Sequence, residues 1–426
     1  MQVNLEYGKY GLSAEIPDAN LIGVLNLKTS PPLLNPDVAI KSALSNPIGT
    51  ASLSELARNA RCACVVICDI TRPVPNQVLL PIVLSQIEEA GIVRDQITIL
   101  IATGTHRPNI GAELEAIVGP EIAREYRCIN HVCTDANTMV DLGFSPKGVH
   151  VKLNRYYVDA QLRVTVGLIE PHFMAGFSGG RKLIMPGIAA LETVQAWHSP
   201  QFLEHPLATN GVVQGNPVHE ESLAIAKLAR PSLTIDVTLD QKNCITGVFA
   251  GDLEEAWMTG VQFARTQVGV NIPELADIVV TTCAGYPLDA TFYQAVKGMV
   301  GALPIVKEGG EIIIASECSE GIGSDHFRNL LLEANCLAEF VSDIQSDSWT
   351  YVPDQWEVEE LARARKHCEV TCVCRGIPDD LLSQCFVKPA SSVEDAISSA
   401  LTRLGENARI AVIPKGPYVI PAVVAA

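Results

Sequence analysis

The sequence predicts an α/β protein with two domains, each built on a mainly parallel sheet flanked by helices, and an active site in the cleft between them. Short apolar runs that fit buried strands alternate with amphipathic segments that fit helices. Hydrophobic residues make up 48% of the chain and aromatic residues only 5%, which is typical of well-buried α/β proteins. A length of 426 residues exceeds one ordinary core and favours two large domains.

The first predicted domain covers residues 1–270. Apolar residues alternate around Gly8 and Gly11, which predicts a β-hairpin over residues 2–17. Unbroken apolar runs at 64–68 and 97–102 predict parallel strands, because such strands are covered on both faces. A loop and an amphipathic helix follow each run. Further strands are expected at 127–132, 149–153, 162–167, 232–239 and 244–249.

The second predicted domain covers residues 271–405, where the alternation of strands and helices restarts after Pro273. Residues 406–426 are expected to form a C-terminal strand and a tail that could return to the first domain. Strands of the second domain are expected at 277–282, 311–315 and 369–374, and helices at 290–300, 325–340, 354–366 and 392–404.

Charge and cysteine content exclude several classes of protein. A formal net charge of −17 argues against a surface for duplex DNA or RNA, which needs clustered Lys and Arg. Thirteen scattered cysteines suggest buried free thiols in a reducing compartment. The sequence opens with no secretory pattern and has no apolar stretch long enough to span a bilayer. We therefore expect a cytoplasmic protein that binds neither nucleic acid nor membrane.

Two consecutive strand ends carry candidate ligand-binding residues. Asp69 and Arg72 follow the apolar run at 64–68, and His106 follows the run at 97–102. Because the carboxyl ends of strands hold ligands in open α/β sheets, Arg72 is placed to bind a carboxylate or phosphate. The alternatives are a simple turn stabilised by Asp69 and an incidental loop histidine.

A glycine-containing loop gives the strongest local signal. Residues 178–182 read Ser-Gly-Gly-Arg-Lys, with His172 upstream and His198 downstream. Gly179 and Gly180 allow a bulky ligand to approach the backbone closely. The two imidazoles add metal-binding or acid–base capacity near neutral pH.

A helix is expected from the residues after Gly187 to about Trp197. The loop before it would direct backbone N–H groups and the positive end of the helix dipole toward whatever lies beside Lys182. This predicts a seat for an anionic cofactor. The alternative is a surface loop with an exposed Arg181–Lys182 pair and two unrelated histidines.

Gln294 and Lys297 stand three residues apart on a predicted helix, so they share a face and can address one ligand. The alternative is an exposed polar stripe. The residues alone leave the chemistry open. Lys182 could form a Schiff base with a carbonyl cofactor, or pair with a nucleotide phosphate, although the full P-loop pattern is absent.

Five motifs, in order along the chain, are together far more specific than any one of them. With them the sequence resembles the nickel-dependent lactate racemase family over essentially its whole length. The motifs are DITRPVPN at 69–76, GTHRP at 104–108, EPHFMAGFSGGRKLIMPGI at 170–188, WHSP at 197–200 and FYQAVKGM at 292–299.

The resemblance implies an uncommon cofactor, a nickel-pincer nucleotide. This is pyridinium-3-thioamide-5-thiocarboxylic acid mononucleotide, which holds nickel through two sulfurs and a ring carbon. In the family, the lysine matching Lys182 carries the cofactor as a thioamide, and the histidine matching His198 is the fourth nickel ligand. Gly179, Gly180 and Arg181 belong to the same cofactor-binding loop. Soft sulfur and imidazole donors in a square plane suit nickel.

The resemblance also implies inversion at C2 of a 2-hydroxy acid. By analogy, His106 and His172 act from opposite sides as base for the hydroxyl proton, while the C2 hydride moves to the cofactor and leaves a planar 2-keto acid. Two bases are required because the base for one enantiomer is the acid for its mirror image. The substrate-binding residues implied by the family are Arg72, Lys297, Gln294 and Asp69.

Substrate identity stays open at this point, because the family includes members that act on larger 2-hydroxy acids such as malate, hydroxyglutarate, aryl lactates or sugar acids. The alternatives of another class are a non-catalytic cofactor carrier and a kinase-like phosphate-binding protein. The expected partners are a small 2-hydroxy acid and the cofactor-biosynthesis enzymes needed for maturation.

Overall fold

The computed structural model describes residues 1–28, 30–346 and 348–424. It divides into two units, which we call the first unit (residues 30–170 and 174–267) and the second unit (residues 1–28, 171–173 and 268–424). Each unit contains one six-stranded sheet with helices packed on it. The predicted α/β class, with mainly parallel sheets, is therefore confirmed.

The strands of the described residues are numbered along the chain. They are β1 (Gln2–Leu5), β2 (Leu12–Glu15), β3 (Leu21–Val24), β4 (Ala63–Cys68), β5 (Ile97–Ala102), β6 (Arg127–Asn130), β7 (Met139–Phe144), β8 (His150–Asn154), β9 (Leu162–Leu168), β10 (Pro171–His172), β11 (Gly176–Phe177), β12 (Leu233–Leu239), β13 (Ile245–Gly251), β14 (Gly269–Ile272), β15 (Ala276–Thr282), β16 (Val306–Ala315), β17 (Glu369–Val373), β18 (Lys388–Ala390), β19 (Ile410–Ile413) and β20 (Ile420–Val423).

The α-helices are numbered in the same way. They are α1 (Pro36–Ser45), α2 (Leu53–Arg58), α3 (Asn76–Glu89), α4 (Ala112–Val118), α5 (Pro120–Glu125), α6 (Arg155–Val158), α7 (Leu191–Trp197), α8 (Pro200–Leu203), α9 (Pro217–Leu228), α10 (Glu255–Val268), α11 (Phe292–Ala302), α12 (Asp325–Glu333), α13 (Leu337–Ile344), α14 (Gln355–His367), α15 (Asp379–Gln384) and α16 (Val393–Leu404). The single helix expected over 325–340 is two helices, α12 and α13, separated at residues 334–336.

The sheet of the first unit has the strand order β13-β12-β9-β4-β5-β6. All neighbours are parallel except β12 and β13, which form an antiparallel pair. The central strands β4, β5 and β9 are almost wholly buried, as expected for apolar strands covered on both faces. Because β4 lies between β9 and β5, the loops after these three strands emerge side by side at one edge.

The sheet of the second unit is parallel throughout, with the order β18-β17-β16-β15-β19-β3. Its β3 strand comes from the start of the chain and pairs with β19 near the end. The predicted hairpin is present as the antiparallel pair β1–β2. It packs on this sheet through Val3, Leu5 and Ile16, which share a core with Ile278 and Val412.

The unit division differs from the predicted domains at both ends of the chain. Residues 1–28, expected in the first domain, belong to the second unit, and so does the C-terminal strand that was expected to be able to return to the first domain. Pairing of β3 with β19 explains both observations, and Asn20 reinforces it by donating from Nδ2 to the carbonyl oxygens of Glu406 and Ala408. Sequence alternation predicts a strand but does not identify its neighbours.

The helix expected from the residues after Gly187 to about Trp197 is present as α7, which begins a few residues later than predicted. Lys182 lies in a short 3₁₀ turn at Gly180–Leu183, and α7 begins only at Leu191. Pro186 has no backbone N–H to donate, and Gly187 is a poor helix former, so together they break the pattern between the two segments. This break separates Lys182 from the start of α7, and the seat for an anionic cofactor stays a prediction.

Among the described residues, no helix combines the length and the apolar character needed to cross a membrane.

Candidate active site

A carboxylate–imidazole pair links the first two strand ends of the first unit. Asp69 follows β4 and His106 lies in the loop after β5, with His106 Nδ1 2.7 Å from Asp69 Oδ2. Asp69 is buried, whereas the side chain of His106 is 56% exposed. The buried Asp69 carboxylate therefore holds Nδ1 of His106 by a hydrogen bond, and the exposed part of the ring can contact a ligand.

The pKa of Asp69 shows that this carboxyl group is held in its ionised form. Burial raises the pKa, but the hydrogen bond and charge of His106, the hydroxyl of Thr71 and the charge of Arg72 together lower it below the ordinary value of 3.8. The Thr71 hydroxyl lies 2.6 Å from Asp69 Oδ1. Hydrogen-bond donors to the charged form thus outweigh desolvation.

Arg72 lies at the same edge and faces an acidic residue from a third strand end. Its Nε is 3.5 Å from Glu170 Oε1, and Glu170 follows β9. The backbone N–H of Arg72 also donates to the carbonyl of Asp69, which makes the loop compact. The structure therefore brings Asp69, Arg72 and His106 together at neighbouring strand ends, as the sequence predicted.

The glycine pair is an enclosed part of the loop rather than a surface feature. Gly179 and Gly180 have φ of +77° and +49°, and a Cβ on Gly180 would lie 2.9 Å from the indole of Trp257. The N–H of Gly180 donates to Asp236 Oδ1 at 3.0 Å, and the indole N–H of Trp257 donates to the Ser178 carbonyl at 2.7 Å. Both residues must remain glycine for the loop to keep this path.

Asp236 has no exposure to solvent, and burial raises its pKa to about 6 despite the opposing hydrogen bond from Gly180.

Arg181 has a structural environment that the sequence did not indicate. It is 1% exposed, its guanidinium carbon lies 3.9 Å from the ring centroid of Trp257, and its Nη2 donates to the carbonyls of Ala175 and Phe177 at 2.8 Å. Burial lowers its pKa to about 9, and the charge of Asp236 opposes that shift. The alternative interpretation, a surface loop with an exposed Arg181–Lys182 pair, is therefore wrong for Arg181, whose hydrogen bonds hold the loop together from inside.

Lys182 and His198 lie near each other in the same unit. The Lys182 ammonium is 5.5 Å from the ring centroid of Trp197, whose ring lies 4.5 Å from that of His198. Burial is the main cause that lowers the pKa of His198 to about 3, and the charge of Lys182 lowers it further. His198 is therefore neutral at physiological pH, which is the form that can coordinate a metal.

The other predicted residues lie in the second unit. The His172 ring stacks on Phe173 at 5.1 Å between centroids, and the Lys297 ammonium lies 5.5 Å from the Phe173 ring and 5.4 Å from the Tyr293 ring. His172 and Lys297 are thus joined through one aromatic side chain. The ammonium sits against two aromatic faces, which attract cations.

Gln294 occupies the first turn of α11. The helix is capped by Thr291, whose hydroxyl accepts from the Gln294 N–H at 3.4 Å. The Oε1 atom of Gln294 is buried and has no hydrogen-bond partner within the described ranges. A buried amide in this state can complete its hydrogen bonding with a bound ligand.

Four functional candidates are absent from the sequence predictions: Glu170 beside Arg72, Asp236 and Trp257 beneath the glycine pair, and Glu357 behind Lys297. Glu170 could have been found as a charged residue at the end of a buried strand. The other three depend on distant parts of the chain, and no local pattern marks them.

No group of three or more His, Cys, Asp or Glu side chains among the described residues is arranged to hold a metal ion. A metal beside His198 would therefore need donors supplied by something other than such a cluster.

Comparisons with known proteins identify the family. Residues 7–211 match the model of the lactate racemase N-terminal domain, and residues 272–421 match that of the lactate racemase C-terminal domain. The chain belongs to the lactate racemase family. Membership confirms the predicted family and the prediction of an isomerase.

Family relatives match along nearly their whole length. The lactate racemase of Thermoanaerobacterium thermosaccharolyticum is 35% identical over 421 residues, 98% of each chain. That of Lactiplantibacillus plantarum is 36% identical over 422 residues, covering 98% of this chain and 99% of the relative. The solved T. thermosaccharolyticum lactate racemase apoprotein superposes with a TM-score of 0.93, covering 99% of this chain and 100% of that one at 35% identity.

Proposed function

We propose that this enzyme is a lactate racemase that inverts C2 with a nickel-pincer nucleotide cofactor attached to Lys182. The activity of the relatives supports the substrate. The observation that carries the cofactor assignment is the position of Lys182 beside His198, a buried imidazole that is neutral at physiological pH. The second candidate is inversion of a larger 2-hydroxy acid by the same chemistry.

The residues around Lys182 fit the proposed cofactor. An amide-type link consumes the lysine amine and removes its positive charge. Burial is the larger cause of the lowered pKa of His198, so the imidazole stays neutral and able to donate to nickel without that charge. Gly179 and Gly180 let the loop that carries Lys182 pack against Asp236 and Trp257, so they shape the loop and do not leave space for the cofactor. With one protein ligand, the remaining donors would come from the cofactor, in keeping with the absence of a multi-residue metal cluster in the described part of the chain.

When bound, the cofactor would accept the hydride from C2 and return it. The protein would move the hydroxyl proton. We assign His106 as one base, since its Nδ1 is fixed by Asp69 and its other ring nitrogen remains for the substrate hydroxyl. The ionised Asp69 stabilises the imidazolium that forms when His106 takes the proton. His172 is assigned as the base for the opposite enantiomer.

The substrate carboxylate would be held by charge. Arg72 can offer its planar guanidinium, which Glu170 orients through Nε, and Lys297 can offer its ammonium. The Gln294 amide can donate from Nε2 to the carboxylate or accept from the hydroxyl at Oε1. Arg181 is not assigned to the cofactor, because its guanidinium bonds to carbonyls of its own loop.

Protein produced together with the cofactor-biosynthesis enzymes tests the proposal. We expect intact mass to show an adduct that is lost in Lys182→Ala, one nickel per chain, and interconversion of L- and D-lactate on chiral analysis. His106→Ala and His172→Ala should lose inversion and keep the adduct and the metal. A matured protein without an adduct would contradict the cofactor assignment.

A panel of enantiopure 2-hydroxy acids separates the candidate substrates. Faster inversion of malate, hydroxyglutarate, an aryl lactate or a sugar acid than of lactate would favour the second candidate. Adduct and nickel without inversion of any acid would instead support a non-catalytic carrier.

We propose a cytoplasmic location in view of the thirteen free cysteines, two of which, Cys244 and Cys336, are exposed.

A further inference from the structure

Glu357 is a buried acid whose carboxyl group accepts or donates no hydrogen bond within the described part of the chain. It lies in the first turn of α14 in the second unit and has no exposure to solvent. Neither carboxyl oxygen has a hydrogen-bond partner among the described residues. A carboxyl group in this state is costly when charged, so its presence calls for a physical explanation.

The position of α14 brings Glu357 toward Lys297. Helix α14 packs against α11, which carries Lys297. The preceding residue, Trp356, donates its indole N–H to the hydroxyl of Tyr293 at 3.1 Å, and the Tyr293 ring lies 5.4 Å from the Lys297 ammonium. This bond joins α14 to α11 at the residue next to Glu357. Glu357 and Lys297 then interact through their charges.

The charges around Glu357 favour its neutral form near pH 7. Burial raises its pKa to about 8, the charge of Lys297 opposes that shift, and the charges of Glu360 and Asp354 add to it.

The elements packed around α14 contribute neutral titratable groups, apolar side chains and one bound acid. Tyr293 on α11 and Cys283 after β15 are titratable groups that sense its charge, and burial holds both in their neutral forms by raising their pKa values. The side chains that α12 and α13 bury are apolar: Phe327, Leu330, Leu331, Leu337, Phe340 and Ile344. On the neighbouring strand β16, the buried Glu311 is bound by Thr371 and Arg403.

We propose that Glu357 is a positioning residue that acts through Lys297. When Glu357 is a neutral acid, the Lys297 ammonium can bind the substrate carboxylate. When Glu357 is ionised, its own carboxylate competes with the substrate for that ammonium. The inference rests on the proposed role of Lys297 in substrate binding. In a buried setting two opposite charges attract strongly, so an ionised Glu357 would pair with the lysine that the substrate needs. Binding would then weaken as the pH rises.

The dependence of KM on pH tests this inference in the matured enzyme. If only the neutral form of Glu357 permits binding, the competent fraction falls from about 0.9 at pH 7 to about 0.1 at pH 9, and KM for lactate rises about tenfold. The value of kcat should change less. In Glu357→Gln, KM should stay within about twofold over this range, because the amide keeps the shape of the acid and cannot ionise.

Two further variants make the result decisive. Glu357→Met replaces the acid with an apolar side chain and should also remove the rise in KM, which covers the case in which the glutamine variant folds poorly. Glu333→Gln, on the exposed surface of the neighbouring helix α12, should retain the wild-type rise. A rise in KM that persists in both Glu357 variants would overturn the inference and point to another titrating group.

Calorimetric Kd values for lactate at pH 7 and pH 9 separate this inference from the proposed function. If the wild type inverts no acid, the proposed function fails, yet a tenfold weaker Kd at pH 9 that disappears in Glu357→Gln would still support the role of Glu357. Equal Kd values at both pH values in the wild type, or no binding at either pH, would overturn it.

Discussion

His106 Nδ1 lies 2.7 Å from Asp69 Oδ2, so a buried carboxylate fixes the ring of an exposed histidine. Asp69→Asn should lower kcat/KM by about 10²-fold, because the amide no longer stabilises the imidazolium and no longer selects one ring tautomer. Lys182 modification and nickel content should not change. Steady-state kinetics with lactate check this, with Asp95→Asn at an exposed position as the matched control. Unchanged kcat/KM would remove His106 from the proposed proton transfer.

Replacing Arg72 with lysine tests the guanidinium. An ammonium cannot donate two parallel hydrogen bonds, and the loss of one charge-assisted bond costs about 1.5–3 kcal/mol. We therefore expect Arg72→Lys to lower kcat/KM by about 10- to 100-fold. Arg94→Lys is the control, since Arg94 pairs with Glu88 and Glu125 at the surface. Equal effects of the two substitutions would mean that Arg72 serves only the fold.

His198→Ala tests the metal ligand directly. The variant should keep its cofactor adduct on Lys182 but lose most of its nickel on gel filtration in the presence of a chelator, because one coordinating nitrogen is gone. His205→Ala, at an exposed position, should retain the metal. Metal analysis of the two purified proteins measures the difference, and full nickel occupancy in His198→Ala would contradict the assignment.

Gly179 should tolerate no side chain. An alanine there takes an unfavourable φ of +77° and places Cβ 2.9 Å from the Leu168 carbonyl oxygen. Gly143→Ala is the matched control, since its φ is +81° and nothing lies within 4 Å of the added Cβ. We expect a loss in the free energy of unfolding of about 1 kcal/mol for the control and about 2–5 kcal/mol for Gly179→Ala. Urea unfolding measures both, and equal losses would show that the loop can relax.

His219 should make the protein less stable in acid. Burial is the main cause that lowers its pKa to about 3, and its ring stacks on Trp257 at 5.0 Å. Since the unfolded chain binds this proton below pH 6.5 and the folded one does not, stability is lost as the pH falls below about 6.5. In His219→Phe, which keeps a stacked ring, the slope of unfolding free energy between pH 6 and 4 should decrease by about 1.4 kcal/mol per pH unit. An unchanged slope would contradict the assignment.

Local patterns predicted the parts of the site that depend on strand ends. The apolar runs of β4 and β5 predicted buried parallel strands. Neighbouring parallel strands end at the same edge of a sheet, so Asp69, Arg72 and His106 lie together there independently of how the other elements are arranged. The resemblance added His172, His198, Gln294 and Lys297, whose local patterns were ambiguous.

What could not be predicted depends on residues far apart in the sequence. Nothing near Gly180 shows that Trp257 fills the space beside it, and nothing near Arg181 shows that its charge is buried. The sequence around Glu357 reads as a charged helix that would ordinarily face solvent. Tertiary packing decided each of these.

The pairing of β3 with β19 has a consequence for the newly made protein. Asn20 bonds to Glu406 across a separation of 386 residues, so β3 leaves the ribosome long before its partner strand β19 exists. The sheet that includes β4, β5 and β9 is complete by Gly251 and can form while synthesis continues. The other sheet cannot close until β19 has been synthesised, and the nascent chain must keep β3 from pairing elsewhere until then.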